Sequence, residues 1–549
     1  MNKLGKILLT DGAYKHTLAA AISLKKAGYE VHVMGRKTNV CRFSFFVDKF
    51  IPNKYFYQYH IDELLVLLSA ENYDVILPVS GKSVKFLSIH SEKLLKLSNF
   101  LISDTSRIET ALDKISSSKI AHELSIDTIP SAFSDNLEEL YVQSKTLKFP
   151  LVLKSKDELK KSSVYYVTKE ADLKRAICKY YATYDFLPLV QQYIEGEGLG
   201  YFSLNKNGIP LLNFAHKRIR EAPATGGVSS CAEYYDGLDV VEYGKKLMSK
   251  LGWDGLSMVE FKRDNLSGKL YLMEINPKLW GSLDLAIECL ADFPLKYVEY
   301  CMGNDIKTIP SFKPIRFSWI ASEEILHIFT RIESFKLIMI DLFSRRVKTN
   351  FRLNDPLPTL HFVFISLFFS FKFLLRKNNL SKHFGRLRRT GIKYFAIRFF
   401  TETFGVPLLN YGKISNKIFI GGQPSKIGIK VLSLLGFTHC INLRDEFIYN
   451  SNEKITIINF PTVEFDFVNS EDLSKISSNI INLVNNSNAK VYIHCTEGVG
   501  RAPMIGVACL MSMGNDLESS IRIVKSSRPF VSFVKLQKES LKDFYPLNR

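Results

Sequence analysis

Val491-Tyr-Ile-His-Cys-Thr-Glu-Gly-Val-Gly-Arg501 is the stretch on which the reading turns. Its opening apolar residues predict a buried strand, and the apolar run 502–513 predicts a buried helix. Between them a tight loop begins at Cys495, ends at Arg501 and contains Gly498 and Gly500. Glycines let a backbone curl until successive N–H groups point inward, and a following helix adds its positive end, so the loop suits a phosphate group. The same field favours the thiolate of Cys495, the form that attacks phosphorus. Arg501 can grip two phosphate oxygens with one planar fork, which a lysine cannot.

Three neighbouring segments agree with this loop: Ile418-Phe-Ile-Gly-Gly-Gln-Pro-Ser425, Cys440-Ile-Asn-Leu-Arg-Asp-Glu446, and Arg528-Pro529 followed by Gln537. With His494-Cys495-x5-Arg501 they resemble the cysteine-dependent protein tyrosine phosphatases, specifically the dual-specificity branch, over residues 406–549. The resemblance implies an α/β domain in which Cys495 is the nucleophile, backed by His494 and Arg501, with a phosphocysteine intermediate. Thr496, Glu497, Gly498, Val499 and Gly500 then line the phosphate, and no cofactor is needed. Catalysis also needs a general acid. Register favours Glu464, three residues after Pro461; residue type favours Asp466. Glu497 in the pocket wall repels highly anionic ligands, which argues against inositol lipids. Gly498-Val-Gly-Arg-Ala502 looks similar to the glucan-phosphatase subgroup, so the substrate is expected to be a phosphorylated protein, metabolite or glucan.

A chain of 549 residues implies several domains. Its 46% hydrophobic and 23% charged residues are those expected of an ordinary folded, soluble chain. The eight cysteines are scattered with no Cys-x-x-Cys pair, which points away from a disulfide framework and toward a reducing, cytoplasmic setting. The opening Met-Asn-Lys-Leu-Gly-Lys runs into a strand and reads as no secretory signal. A net charge of +18 calls for anionic partners. No nucleic-acid motif accompanies it, so nucleic acid is not expected.

From the N-terminus, short apolar runs at 6–9, 29–34, 74–79 and 100–103 alternate with helical spacing, as at 14–27. That alternation predicts a doubly wound parallel sheet over 1–105. No G-x-G-x-x-G follows the first strand, so no dinucleotide site is expected there. Further on, Lys154 ends the apolar strand 149–153, and Glu260, Glu274 and Asn276 lie in two strand-like runs. Side chains two apart share a strand face, so Glu274 and Asn276 point together. With Glu260 they offer three hard oxygen donors suited to Mg²⁺ on ATP phosphates, and Lys154 supplies opposing charge.

This order of parts resembles the ATP-grasp ligases, most closely the carbamoyl-phosphate-synthase-like members, over 1–305. The resemblance implies a pre-ATP-grasp domain (1–105) and an ATP-grasp α+β domain (106–305). It implies ATP held by Lys114, Lys154, Gln192, Tyr193, Ile194 and Glu197, and Mg²⁺ held by Glu260, Glu274 and Asn276. His216, Lys217, Arg218, Arg220 and Thr225-Gly-Gly227 match the loop facing the acceptor. The family reaction turns a small-molecule carboxylate into an acyl phosphate that an amine or thiol then attacks. Residues 155–163 contain no Gly, where such enzymes carry a glycine-rich lid, and Lys278 stands where many relatives have Arg. ATP sensing without ligation, controlling the phosphatase, is therefore the alternative reading.

Residues 306–405 are expected to form a basic, apolar helical connector. The uncharged run 356–371 has 16 residues, short of the about 20 that span a bilayer. Nine basic residues and no acidic one follow between 372 and 398. That pairing suits either helices packed between domains or peripheral attachment of 356–398 to an anionic membrane. A membrane-surface scaffold with two weak sites is a third reading of the whole chain.

Overall fold

A computed structural model describes residues 4–53, 61–160, 162–224, 226–306, 311–344, 346–377, 411–445, 455–487 and 489–544. The chain forms two compact units. One comprises 1–130, 155–161 and 194–374; the other comprises 131–154, 162–193 and 375–549.

In the first unit, β1 (Lys6–Leu9), β2 (Glu30–Gly35), β3 (Lys49–Pro52) and β4 (Val75–Leu77) form a parallel sheet in the order β3-β2-β1-β4. Alternate residues of β1 feed separate cores. Ile7 and Leu9 pack with Leu18 and Ala21, while Leu8 packs with Leu64, Leu68 and Leu87. The sheet is thus covered on both faces, as a doubly wound parallel sheet requires. Two strand expectations shift. Residues 100–103 lie outside the ladder, because the Leu101 N–H donates to the Tyr297 hydroxyl (2.8 Å) and only Asn99 bridges to Val75. Lys49–Pro52 is an unforeseen strand, and its proline is tolerated because it sits on the sheet edge.

In the second unit, β5 (Ser131–Ala132), β6 (Leu151–Lys154), β7 (Tyr165–Val167) and β8 (Leu189–Gln192) form an antiparallel sheet in the order β5-β8-β6-β7. Leu151, Leu153, Val167 and Val190 pack against Leu140, Leu173 and Ile177 of the helices Leu137–Ser144 and Leu173–Tyr184.

The first unit resumes with a seven-stranded sheet. Its strands are β9 (Gly196–Lys206), β10 (Ile209–Ala222), β11 (Val228–Tyr234), β12 (Gly255–Asp264), β13 (Leu270–Asn276), β14 (Arg316–Ser318) and β15 (Val347–Thr349). Their order is β13-β12-β9-β10-β11-β14-β15. The β9–β10 hairpin turns on Asn207-Gly208, both at positive φ (51° and 77°), the conformation this pair of residues favours between antiparallel strands. Segment 306–405, read as a helical connector, contributes β14 and β15 to this sheet. It also supplies the helices Glu323–Thr330, Phe335–Phe343 and Pro356–Lys377. The basic residues from Lys382 to Arg398 lie outside the described residues.

The second unit ends in a five-stranded sheet of β16 (Tyr411–Lys413), β17 (Ile418–Gly421), β18 (His439–Arg444), β19 (Thr456–Thr462) and β20 (Val491–His494). Its order is β16-β17-β20-β18-β19, all parallel except β16. β20 is central and wholly buried. The helices Ser470–Asn486 and Arg501–Ser512 share one core with Ile420, Ile441 and Ile493. Ligand sites in open parallel sheets sit beyond the carboxyl ends of the strands, which is where β20 delivers Cys495.

Candidate active and nucleotide sites

The loop after β20 is a cradle built from backbone. The Gly498 N–H donates to the Cys495 sulfur at 3.3 Å. Gly498 sits at φ 67°, and a Cβ there would lie 2.4 Å from the Gly421 carbonyl carbon, so only glycine fits. Buried Arg528 tightens the loop from behind, its Nε–H donating to the Gly498 carbonyl at 3.0 Å and its Nη2 to that of Glu497 at 3.4 Å. Helix Arg501–Ser512 has Gly500 as its N-cap, with no side chain to bond its first N–H groups. Those donors point where an anion would lie.

Arg501 is 2% exposed and firmly held. Its Nη1 donates to the carbonyls of Thr462 (2.9 Å) and Leu443 (3.3 Å) and pairs with Asp445 Oδ1 (3.1 Å); its Nη2 donates to the Thr496 hydroxyl (3.0 Å). Asp445, the last described residue after β18, lies in the matching segment 440–446 but had no role assigned to it in the sequence; Glu446 lies outside the described residues. His494 is fully buried, its Nδ1 3.4 Å from the Cys495 carbonyl, and burial lowers its pKa to about 3. It is a neutral brace under the loop. Gln537 approaches the loop at Gly500, where a Cβ would meet its Nε2 at 3.1 Å.

The two candidate acids stand in different surroundings. Asp466 is 6% exposed; its Oδ2 pairs with Lys174 at 3.1 Å and its Oδ1 accepts from the Cys178 thiol at 3.4 Å. Glu464 is half-buried and makes no hydrogen bond or ion pair among the described residues. Between them Phe465 sits at φ 69°, a conformation that costs an aromatic residue energy.

In the first unit β12 and β13 place Glu260 directly opposite Glu274. Asn276 joins them, donating from Nδ2 to Glu274 Oε1 (2.9 Å) and Glu260 Oε1 (3.4 Å). Each carboxylate has a cation: Arg218 on Glu260, and Lys114 on Glu274 (3.0 Å) and Glu158 (3.1 Å), while Lys278 also meets Glu158 (2.9 Å). Burial pushes the Glu260 carboxyl up, opposed by Arg218. Burial disfavours the Lys114 ammonium, yet Glu274 and Glu158 outweigh it and raise its pKa. Among the described residues no group of three or more His, Cys, Asp or Glu side chains is arranged to hold a metal; this set has two carboxylates and an amide. The buried Oδ1 of Asn276 has no partner among the described residues, and a half-turn of the amide would exchange it with the Nδ2 that now faces the carboxylates, giving three hard oxygen donors. The donor set fits Mg²⁺.

The remaining nucleotide candidates divide between the units. Lys154, Gln192 and Tyr193 belong to the sheet of β5–β8, where Lys154 pairs with Leu189 and Gln192 with Leu151, and the Tyr193 N–H donates to the Pro150 carbonyl at 2.9 Å. Ile194 is buried, and Glu197 on β9 pairs with Lys217 at 2.5 Å. Of the expected acceptor residues, His216 is core, packed edge-on against Phe202, and Arg220 is bound to Glu324 (2.6 Å) and Asp341 (2.7 Å). Thr225 lies outside the described residues. Glu158, which bridges two lysines, stands in the glycine-free stretch 155–163 and had no recognisable motif.

Residues 418–545 match the family described as dual specificity phosphatase, catalytic domain. The N-terminal part is similar to the large chain of carbamoyl phosphate synthase from Synechocystis sp., 23% identical over 298 residues, covering 50% of this chain and 26% of that protein. The chain thus spans about a quarter of the length of this curated relative. Among solved structures, N5-carboxyaminoimidazole synthetase from Staphylococcus aureus is 18% identical, with 58% of this chain and 82% of that one covered and a TM-score of 0.46. A biotin carboxylase–β,γ-ATP complex from Campylobacter jejuni is 15% identical, with 56% and 73% covered and a TM-score of 0.46.

Proposed function

We propose that this chain, which joins an ATP-grasp region to a dual specificity phosphatase domain, hydrolyses phosphomonoesters through a phosphocysteine on Cys495. The observation that carries this reading is the sulfur of Cys495 accepting the Gly498 N–H inside an uncapped, Arg501-flanked loop. The thiolate attacks phosphorus, a P–S bond forms, and the P–O ester bond breaks. Glu464 gives the leaving oxygen its proton. Water then attacks phosphorus, its proton returns to Glu464, and the P–S bond breaks to release phosphate and the thiolate. Glu464 is favoured over Asp466 because a general acid must be reachable by the leaving oxygen, whereas Asp466 is buried and already engaged by Lys174 and Cys178. Glu497 beside the pocket favours a singly phosphorylated protein or metabolite.

The test is hydrolysis of p-nitrophenyl phosphate in chelator, with rapid quench and mass spectrometry for phosphate on Cys495. Cys495→Ser should keep less than about a hundredth of the rate, since an unactivated hydroxyl is a poor nucleophile. Wild-type rates in that variant would refute the reading.

For the N-terminal half we propose Mg²⁺-ATP binding and ATP-dependent ligation of a small carboxylate to an amine or thiol. Glu260, Glu274 and Asn276 would hold Mg²⁺, which neutralises phosphate charge when bound; Lys114 would hold a phosphate. The buried Asn276 oxygen, without a partner among the described residues, supports this reading. A screen of carboxylates and acceptors for ADP release tests it, and ATP binding without any acceptor-dependent turnover would support the sensing alternative instead.

A peripheral contact with anionic lipid is proposed for the helix Pro356–Lys377. Leu360 (62%), Phe364 (72%) and Phe368 (57%) are exposed on it, ahead of the acid-free basic run. Among the described residues no helix is long and apolar enough to cross a membrane.

A further inference from the structure

The helix Leu173–Tyr184 buries Leu173, Ile177 and Tyr180 against the sheet that carries Lys154, Gln192 and Tyr193. Its other side carries Lys174, Arg175, Cys178 and Tyr181, spaced as a single helical face, with Asp185 at its end. Nothing in the motif for nucleotide binding uses that face. Within the same compact unit it meets the phosphatase domain at three places. Lys174 and Cys178 take the two oxygens of Asp466 (3.1 and 3.4 Å). Arg175 takes Asp445 Oδ2 at 2.8 Å, and the other oxygen of that carboxylate binds Arg501 Nη1 at 3.1 Å. Lys535 reaches Asp185 at 2.9 Å and lies 5.3 Å over the Tyr181 ring.

Resting on the phosphatase reading of residues 418–545, we propose that this helix is a working part of the phosphatase centre. Lys174 positions the acid loop through Asp466, and Arg175 positions Arg501 through Asp445. Lys174 fixes Asp466 one residue after Phe465, whose left-handed backbone (φ 69°) persists only if its surroundings hold it. Release of Asp466 lets that residue relax and carries Glu464 away from the leaving oxygen. Cys178 also faces Asp466, and the Phe467 N–H caps its Oδ1 (2.8 Å); Glu138 faces Lys174 from the neighbouring helix (2.7 Å). Arg175 acts differently. It shares the Asp445 charge, so its loss takes one positive charge from beside that carboxylate and lets Asp445 draw harder on Arg501. Substrate binding then weakens while the chemical step is spared.

These roles give two separate kinetic signatures in the full chain, read with p-nitrophenyl phosphate (good leaving group) and phenyl phosphate (poor leaving group). Lys174→Met should lower kcat for phenyl phosphate about tenfold, within the range a misplaced acid forfeits, and leave p-nitrophenyl phosphate within about twofold. Lys174→Arg should restore most of the loss, and Lys174→Gln replaces the Met variant should that one fold poorly. Arg175→Met should raise KM about fivefold for both substrates at nearly constant kcat, as loss of ground-state binding predicts, with partial rescue by Arg175→Lys. Folded variants with wild-type kcat and KM for both substrates overturn the proposal alone. So does a uniform loss on both substrates that merely follows a fall in melting temperature. A wild type inactive on both substrates overturns the phosphatase reading and the helix's role together.

Discussion

Exchanging Glu464 for Gln and Asp466 for Asn separates catalysis from architecture, because the two carboxylates lie two residues apart in opposite surroundings. The Asp466 side chain is 7% exposed and Lys174 is 27% exposed. Breaking a fully buried pair costs about 3–5 kcal/mol and a surface pair under about 1. Lys174 keeps Glu138 as a second partner, so Asp466→Asn should cost roughly 1–2 kcal/mol, which in a domain of this size lowers the melting temperature by about 3–6 °C. Glu464 has no partner among the described residues, and Glu464→Gln should leave melting unchanged within about 1 °C. Kinetics should reverse the order. Loss of the acid removes about 100-fold from phenyl phosphate hydrolysis, about 2.7 kcal/mol of barrier, and little from p-nitrophenyl phosphate. Because the acid must be protonated when the ester bond breaks, its loss also removes the alkaline limb of the pH–rate profile. Differential scanning fluorimetry and paired pH profiles suffice. An Asp466→Asn enzyme without its alkaline limb, beside a Glu464→Gln enzyme that keeps it, would refute the assignment.

Three further outcomes are expected. Glu274→Ala should weaken Mg²⁺-ATP binding at least about tenfold in calorimetry, since a charged ligand to a dication is lost; unchanged binding would misplace the metal. The full chain should co-sediment with anionic but not neutral vesicles and be released by salt, and Phe364→Ser with Phe368→Ser should weaken it; equal binding to both vesicle types would refute lipid-charge recognition. His16, His216 and His494 have pKa values lowered by burial to about 3, below the unfolded value, so the stability they carry is complete above about pH 6.5 and is lost as pH falls toward 3. At pH 5 each costs roughly 2 kcal/mol. His216→Leu, replacing a ring with two partnerless nitrogens, should flatten the fall in melting temperature between pH 7 and 5, and an equally steep fall would refute neutral burial.

The parts of this molecule that were legible in sequence are those whose chemistry is local. Cys495, Gly498 and Arg501 fall within one short loop, and the backbone conformation there, φ 67° at Gly498, is one that only glycine fits. Glu274 and Asn276 were legible for a similar reason: a two-residue spacing on a strand has only one geometric meaning, and their 2.9 Å hydrogen bond realises it. Where tertiary partners decide, the reading slipped. Leu101 has the composition of a strand residue, but its N–H is taken by Tyr297, 196 positions away. His216 matched an acceptor loop by its neighbours in sequence, yet the ring turns into the core against Phe202.

The same argument explains why the phosphatase acquired contributors that its own segment does not contain. Lys174 and Arg175 read as a solvated basic pair on an amphipathic helix, and in an isolated helix that is what they would be. Their partners stand far along the chain: Arg175 is 270 positions from Asp445, and Cys178 is 288 from Asp466. No periodicity or motif spans such distances, because these pairings are chosen by how two folded surfaces meet. Asp466 shows the consequence most directly. Read by residue type it is the expected acid; in the fold it is buried against Lys174 and Cys178, while Glu464, which pairs with nothing among the described residues, is the carboxylate proposed to deliver the proton.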